Sequence, residues 1–197
     1  MTSTLAYQSG FGNQFATEAV PGALPVGRNS PQQAPHGLYA ELLSGSAFTA
    51  PRADNRRTWM YRRRPSVAIG AYSALALPLW LSGAATGVEA PPDPLRWHPA
   101  PLPGDDEAMD FIDGLRTMIV NGDPDAQTGV AAHVALFNRP MGRRAMVNGD
   151  GELLLVPQTG TLRLTTELGV LDVGPGEVAL LPRGLAFHVG CDGPSSA

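Results

Sequence analysis

The sequence predicts an all-β protein, a barrel or sandwich of short strands preceded by an irregular region. Three observations predict it. Glycine (23) and proline (19) together exceed a fifth of the 197 residues, well above ordinary usage, and inside helices they would cost about 1 and 3 kcal/mol each. Short β-prone segments follow one another after residue 130, each closed by a glycine-rich turn. Leu162 and Leu164 alternate with Arg163 and Thr165, the two-residue period of a strand buried on one face.

Taken in order, residues 1 to about 50 show little periodicity and carry Gly10-Phe11-Gly12-Asn13-Gln14-Phe15, Pro21-Gly22, Pro25, Pro31 and Pro35. Such an arm, with aromatic anchors but no apolar stripe, gains order only by lying on something else. Residues 38–43 and 46–49 are strand candidates. Residues 56–69 read as one or two strands offering Trp59, Tyr61 and Val67 to a core. Six prolines between residues 89 and 104 make a loop past Trp97. Residues 105–114 read as a short helix capped by Asp105 or Asp106, with Phe111, Ile112 and Leu115 facing inward. Extended chain follows over 117–120. Strands are expected over 130–137, 144–148, 152–156, 161–165, 170–173, 177–181 and 185–189. The breaks between them are Asn148-Gly149-Asp150-Gly151, Gln158-Thr159-Gly160, Glu167-Leu168-Gly169 and Gly174-Pro175-Gly176. Asp192-Gly193-Pro194-Ser195-Ser196-Ala197 has the composition of a loop. This divides the chain into an arm and short-strand region, 1–115, and a β region, 116–197.

Composition narrows the function. The net charge is −4, and the one basic cluster, Arg56, Arg57, Arg62, Arg63 and Arg64, is too small a footprint for nucleic acid. These arginines are expected to pair with carboxylates. Residues 65–88 carry no charge and follow Arg62-Arg63-Arg64, a length that could span a bilayer. Pro78 and three glycines weigh against a span, and Leu75, Leu77, Leu79 and Leu81, alternating around Ala76, Pro78 and Trp80, look no more like a spanning helix than like buried extended chain. No membrane partner is expected. Cys191 is the single cysteine, which excludes an internal disulfide and suits a reducing cytoplasm. The first residues lack the pattern of a signal peptide.

The candidates for chemistry are four histidines, His36, His98, His133 and His188, no two of them close in sequence. A metal site needs three or more ligands, often with a short-spaced pair on one element. Two histidines and a carboxylate could converge from distant strands. The best pair is His133 with His188, and the nearby carboxylates are Glu152 and Glu177. The competing reading makes His133 the one hydrogen-bonded polar residue of an alternating strand. No nucleophile elbow or phosphate loop is present, and Cys191 has no histidine beside it. No catalytic, cofactor-binding or metal-binding residue is assigned in this chain.

Gly176-x5-Pro182-x-Gly184-x3-His188 resembles the second motif of the cupin barrels, its histidine one residue late. The first cupin motif would supply His-x-His and a glutamate, where the corresponding strand has only His133. The fold is thus expected to be an incomplete cupin-like jelly-roll barrel without its metal. A closer resemblance lies in irregular segments. These are Tyr7-x-Ser9-Gly10-Phe11-Gly12-Asn13, Leu38-Tyr39-Ala40-Glu41-x-Leu43-Ser44-Gly45-Ser46-Ala47-Phe48-Thr49, Pro51-Arg52, Trp59-x-Tyr61-Arg62 with Pro65-Ser66-Val67, and Leu95-Arg96-Trp97. Asp110-Phe111-x-x-Gly114-Leu115, Asn148-x-Asp150-Gly151 and Val156-Pro157-Gln158-x-Gly160 continue the series. Together they resemble the homogentisate 1,2-dioxygenase family through nearly the whole chain.

The resemblance implies a longer protein that opens homogentisate with O2 to give maleylacetoacetate, in tyrosine and phenylalanine breakdown. It implies Fe(II) held by two histidines and a glutamate expected beyond Ala197, and trimers or hexamers. On that reading residues 1–197 are the N-terminal scaffold portion, inactive alone. The alternatives are a non-catalytic β-barrel acting in binding or assembly, and a small cupin metalloenzyme using His133 and His188.

Overall fold

A computed structural model describes residues 4–7, 22, 34–44, 51, 53–54, 57–81, 83, 92–94, 96, 98–123, 125–126 and 128–197. The architecture is all-β, with irregular N-terminal strands and an open, cupin-like jelly-roll arrangement of sheets. The protein forms two compact units, Met1–Ala74 and Leu75–Ala197.

In the first unit, β1 (Tyr39–Ser44) pairs antiparallel with β2 (Arg57–Arg62), from Tyr39 opposite Arg62 to Ser44 opposite Arg57. The buried residue of β2 is Met60. Trp59 and Tyr61 are half-buried, and Val67 is 89% exposed on a single 3-10 turn, Ser66–Ala68. The expectation that Val67 enters the core is therefore corrected: the turn after Pro65 ends the strand's alternation before Val67. The strand candidate at 46–49 and most of the arm lie outside the described residues.

The second unit begins with an uncharged stretch from Leu75 to Leu81 that forms neither helix nor strand, and the expectation of buried chain is corrected there, since Leu75, Leu79 and Leu81 are exposed. No helix among the described residues is long and apolar enough to cross a membrane. Then come β3 (Leu115–Asp123), β4 (Thr128–Phe137), β5 (Met146–Val147), β6 (Leu153–Leu155), β7 (Leu162–Thr166), β8 (Gly169–Val173), β9 (Ala179–Leu181), β10 (Ala186–Cys191) and β11 (Ser195–Ser196). They form a four-stranded sheet ordered β5-β10-β7-β8, a three-stranded sheet ordered β11-β4-β3, and the ribbon β6-β9. Every pairing is antiparallel.

The core follows from alternation. Leu162 and Leu164 on β7, and Phe187 and Val189 on β10, are fully or almost fully buried. Outside, Arg163 lies opposite Asp172 on β8, and its guanidinium donates two 2.7 Å bonds to that carboxylate. Hydrogen bonding with Arg163 holds the Asp172 carboxyl below its ordinary range, against the effect of burial. Phe111 meets Phe137 of β4 edge-on at 5.6 Å and Phe187 of β10 at 6.3 Å. One ring thus joins residues from two sheets.

Two sequence expectations are corrected in this unit. Residues 105–114 are turns, not a helix. Asp105 and Asp106 cap nothing; the carboxylate of Asp110 accepts the backbone N–H groups of Ile112 and Asp113 at 3.0 and 3.1 Å. A single helix-like bond, Gly114 N–H to Asp110 O at 2.9 Å, closes the turn before β3 departs. Phe111, Ile112 and Leu115 still face inward. The second correction concerns residues 192–197. Ser195 and Ser196 are buried and pair with Phe137 and Leu136. Ala197 exchanges two backbone hydrogen bonds with Ala135. Backbone partners distant in sequence order this segment despite its loop-like composition.

Candidate functional site

The turn that carries the cupin-like motif lies where the sequence places it. Pro182, Arg183 and Gly184 join β9 to β10, passing the backbone from the ribbon to the four-stranded sheet. Gly184 adopts φ +76°, and its N–H donates to Asn148 O at 2.7 Å. His188, beyond the turn, lies opposite Thr165 on β7.

His133 lies on β4, in the other sheet, opposite Thr117 on β3. A register shift between Thr117 and Ile119 leaves Met118 as the extra residue of a β-bulge. The Thr117 hydroxyl sits 3.0 Å from His133 Nδ1 and accepts the backbone N–H of Leu81 at 2.8 Å. The Thr117 N–H donates to Leu79 O at 2.8 Å. Between these two anchor points, Trp80 meets the His133 ring edge-on at 6.3 Å. Burial pushes the His133 pKa down, which favours the neutral ring. The hydroxyl donates to Nδ1 when the ring proton sits on Nε2, and accepts from Nδ1 in the other tautomer.

The structure therefore separates the two best metal candidates and engages His133 with a hydroxyl and an indole. His36 and His98 are exposed on other segments. Glu177 accepts the Gly174 N–H at 2.8 Å within its own turn, and Glu152 is exposed before β6. Among the described residues no group of three or more His, Cys, Asp or Glu is placed to hold a metal ion. Among the described residues the donor set does not fit an iron centre. Burial pushes the Cys191 thiol up, against hydrogen bonding with Gly193 and Ser195, so it is not poised as a nucleophile.

Of two charged hubs, the sequence foresees that Arg62 pairs with a carboxylate without naming it, and misses the other. Glu41 accepts from Arg62 Nη1 at 2.6 Å through one oxygen. Its other oxygen accepts from the Ser66 N–H at 2.6 Å and the Ser66 hydroxyl at 2.8 Å. Burial works against ionisation here, but these bonds prevail and hold the Glu41 carboxyl below its ordinary range. The second hub joins Arg144 to Asp110 and Asp113. Both hubs draw on the segments noted in the sequence: Glu41, Arg62 and Ser66 come from two of them, and Asp110 from a third. The signal was the presence of a carboxylate and an arginine in irregular segments, without any spacing to match them.

The comparisons bear on the same segments. Residues 6–196 match the family described as homogentisate 1,2-dioxygenase N-terminal. The chain is also similar to a homogentisate 1,2-dioxygenase of Rhodopseudomonas palustris (strain BisB18), 53% identical over 194 residues. That alignment covers 98% of this chain and 43% of the relative, so the chain spans less than half the length of the protein it matches. The chain belongs to the homogentisate 1,2-dioxygenase N-terminal family.

Proposed function

We propose that this chain is the N-terminal scaffold portion of a homogentisate 1,2-dioxygenase. The whole protein would open the homogentisate ring with O2 to give maleylacetoacetate, in tyrosine and phenylalanine catabolism. Fe(II) would be held by residues outside positions 1–197, and the working form would be a cytoplasmic trimer or hexamer. The observation that carries the reading is the family match through residues 6–196.

The protein's own residues suit scaffolding. Buried aromatic rings join the sheets, and ion pairs fasten β1 to β2 and the Asp110 turn to Arg144. His133 is committed to Thr117 and Trp80.

The test is homogentisate-dependent O2 uptake with Fe(II) and ascorbate present. The isolated chain is expected to show none, and the protein carrying the remainder of the relative's length is expected to show it. Uptake by the isolated chain that is lost on replacing His133 or His188 would overturn the scaffold reading in favour of a small cupin metalloenzyme.

A further inference from the structure

We propose that Asn148 is a site of spontaneous deamidation, promoted by the fold of the turn it opens. Asn148 and Gly149 link β5 to β6, with Asn148 half-exposed and Gly149 and Asp150 exposed. The Asp150 N–H donates to Asn148 Oδ1 at 3.0 Å. This Asx turn folds the Asn148 amide back over the Gly149 peptide. The same bond withdraws electron density from the amide carbonyl, which makes its carbon more electrophilic. Gly149 presents no Cβ to the approach, and a Cβ built there meets nothing within 4 Å.

The chemistry needs only water. The Gly149 nitrogen, after losing its proton to solvent base, attacks Asn148 Cγ. The new N–Cγ bond forms as the Cγ–Nδ2 bond of Asn148 breaks, and ammonia leaves. Water then opens the cyclic imide at one of its two carbonyls, leaving aspartate or isoaspartate. No oxidation or reduction occurs.

A second Asn-Gly pair occupies a contrasting setting. Asn121 and Gly122 lie within β3, opposite Val130 and Gly129. Pairing with β4 constrains the Asn121–Gly122 backbone, where Gly122 takes φ +85° against Gly129, and so resists the rotation that ring closure needs. The two sites share a sequence and differ in fold.

Modification of Asn148 has a structural consequence. The Asn148 carbonyl accepts the Gly184 N–H, tying the β5–β6 turn to the β9–β10 turn. Isoaspartate routes the backbone through Cγ and displaces that carbonyl. Aspartate keeps the backbone and adds a negative charge beside Asp150.

The test is peptide mapping by mass spectrometry, with isoaspartate resolved, after incubation of the folded protein at mildly alkaline pH. Asn148 is expected to convert several-fold faster than Asn121, and Gly149→Ala is expected to slow it several-fold. Alanine fits at this position because the space is open and φ is not left-handed. In urea the two sites should converge in rate. Equal rates in the folded protein, no slowing by Gly149→Ala, or an unchanged ratio in urea would each overturn the proposal.

Discussion

Arg144 Nη1 donates to the carboxylate of Asp110 at 2.8 Å, and that carboxylate is almost wholly removed from solvent. The same nitrogen reaches both oxygens of Asp113 at 2.9 and 2.8 Å. Hydrogen bonding to Asp113, and attraction to both carboxylates, raise the Arg144 pKa against the effect of burial. The other Asp110 oxygen holds the N–H groups of Ile112 and Asp113. Asp110 therefore sets the turn that delivers Phe111 to Phe137 and Phe187. Asp110→Ala is expected to cost about 2–4 kcal/mol, because it strips two amides of their acceptor and removes one of the two carboxylates that Arg144 binds. Asp110→Asn, which can keep the turn bonds, should cost less. Urea unfolding checks this, and a loss for the alanine variant under about 0.5 kcal/mol would contradict it.

How far the sequence could be read depends on whether the deciding partner is local. Leu162 and Leu164 are buried because their strand alternates, and alternation is written in neighbouring residues. The same period cannot say which parity faces in when both carry apolar groups, so Met60 is buried where Trp59 and Tyr61 seemed the better candidates. Residues 105–114 read as a helix from a cap and the spacing of Phe111, Ile112 and Leu115, and the fold keeps a helix-like bond from Gly114 to Asp110. The backbone leaves the turn to pair with β4, a contact remote in sequence. Ser195 and Ser196 form a strand for the same reason. At the candidate site, the pairing of His133 with Thr117 requires the register of β3 on β4, including the bulge, which no spacing in the sequence announces.

Gly114 illustrates such a remote contact. A Cβ built there would fall onto the Leu136 carbonyl oxygen, and that position is backbone that cannot swing aside. Meanwhile the Gly114 carbonyl accepts the Leu136 N–H at 3.1 Å. Gly114→Ala is expected to destabilise the second unit by about 1–3 kcal/mol, through separation of β3 from β4 at this end. Thermal unfolding should show a lowered midpoint, with amide exchange at Leu136 accelerated. A midpoint matching the parent protein would refute the contact.

His133 gives a pH dependence with a definite sign. Burial lowers its pKa in the folded state from an ordinary 6.5. Between 6.5 and the lower folded value, the unfolded state binds a proton that the folded state refuses. Its contribution to stability is therefore fully present above 6.5 and is lost as pH falls toward the folded value. Glu41 and Asp172, with depressed carboxyl values, lose their contributions at lower pH, below about 4.5 and 3.8 respectively. Unfolding free energy should fall on acidification just below 6.5, and Thr117→Val and His133→Gln should alter that step while leaving the carboxylate range alone. Fluorescence of Trp80, beside the ring, should titrate in the same window. A profile unchanged in His133→Gln would exclude the assignment.

The ribbon β6-β9 buries one face and leaves the other apolar. Leu155, Ala179 and Leu181 are buried, while Leu154 stands directly opposite Leu180 at 59% and 57% exposure. Just outside the two strands, Val156 after β6 and Val178 before β9 remain exposed at 48% and 58%. Four exposed aliphatic groups thus lie on or next to the ribbon, and an exposed apolar surface favours association in water. The isolated protein is expected to self-associate as its concentration rises. Leu154→Lys combined with Leu180→Glu puts opposite charges on facing positions, an arrangement that a sheet tolerates. Because both positions are largely exposed, the pair should change stability by only about 0.5 kcal/mol while shifting sedimentation toward the monomer. A parent protein that sediments as a monomer at high concentration, or a charged variant that associates as strongly as the parent, would show that this face does not drive the contact.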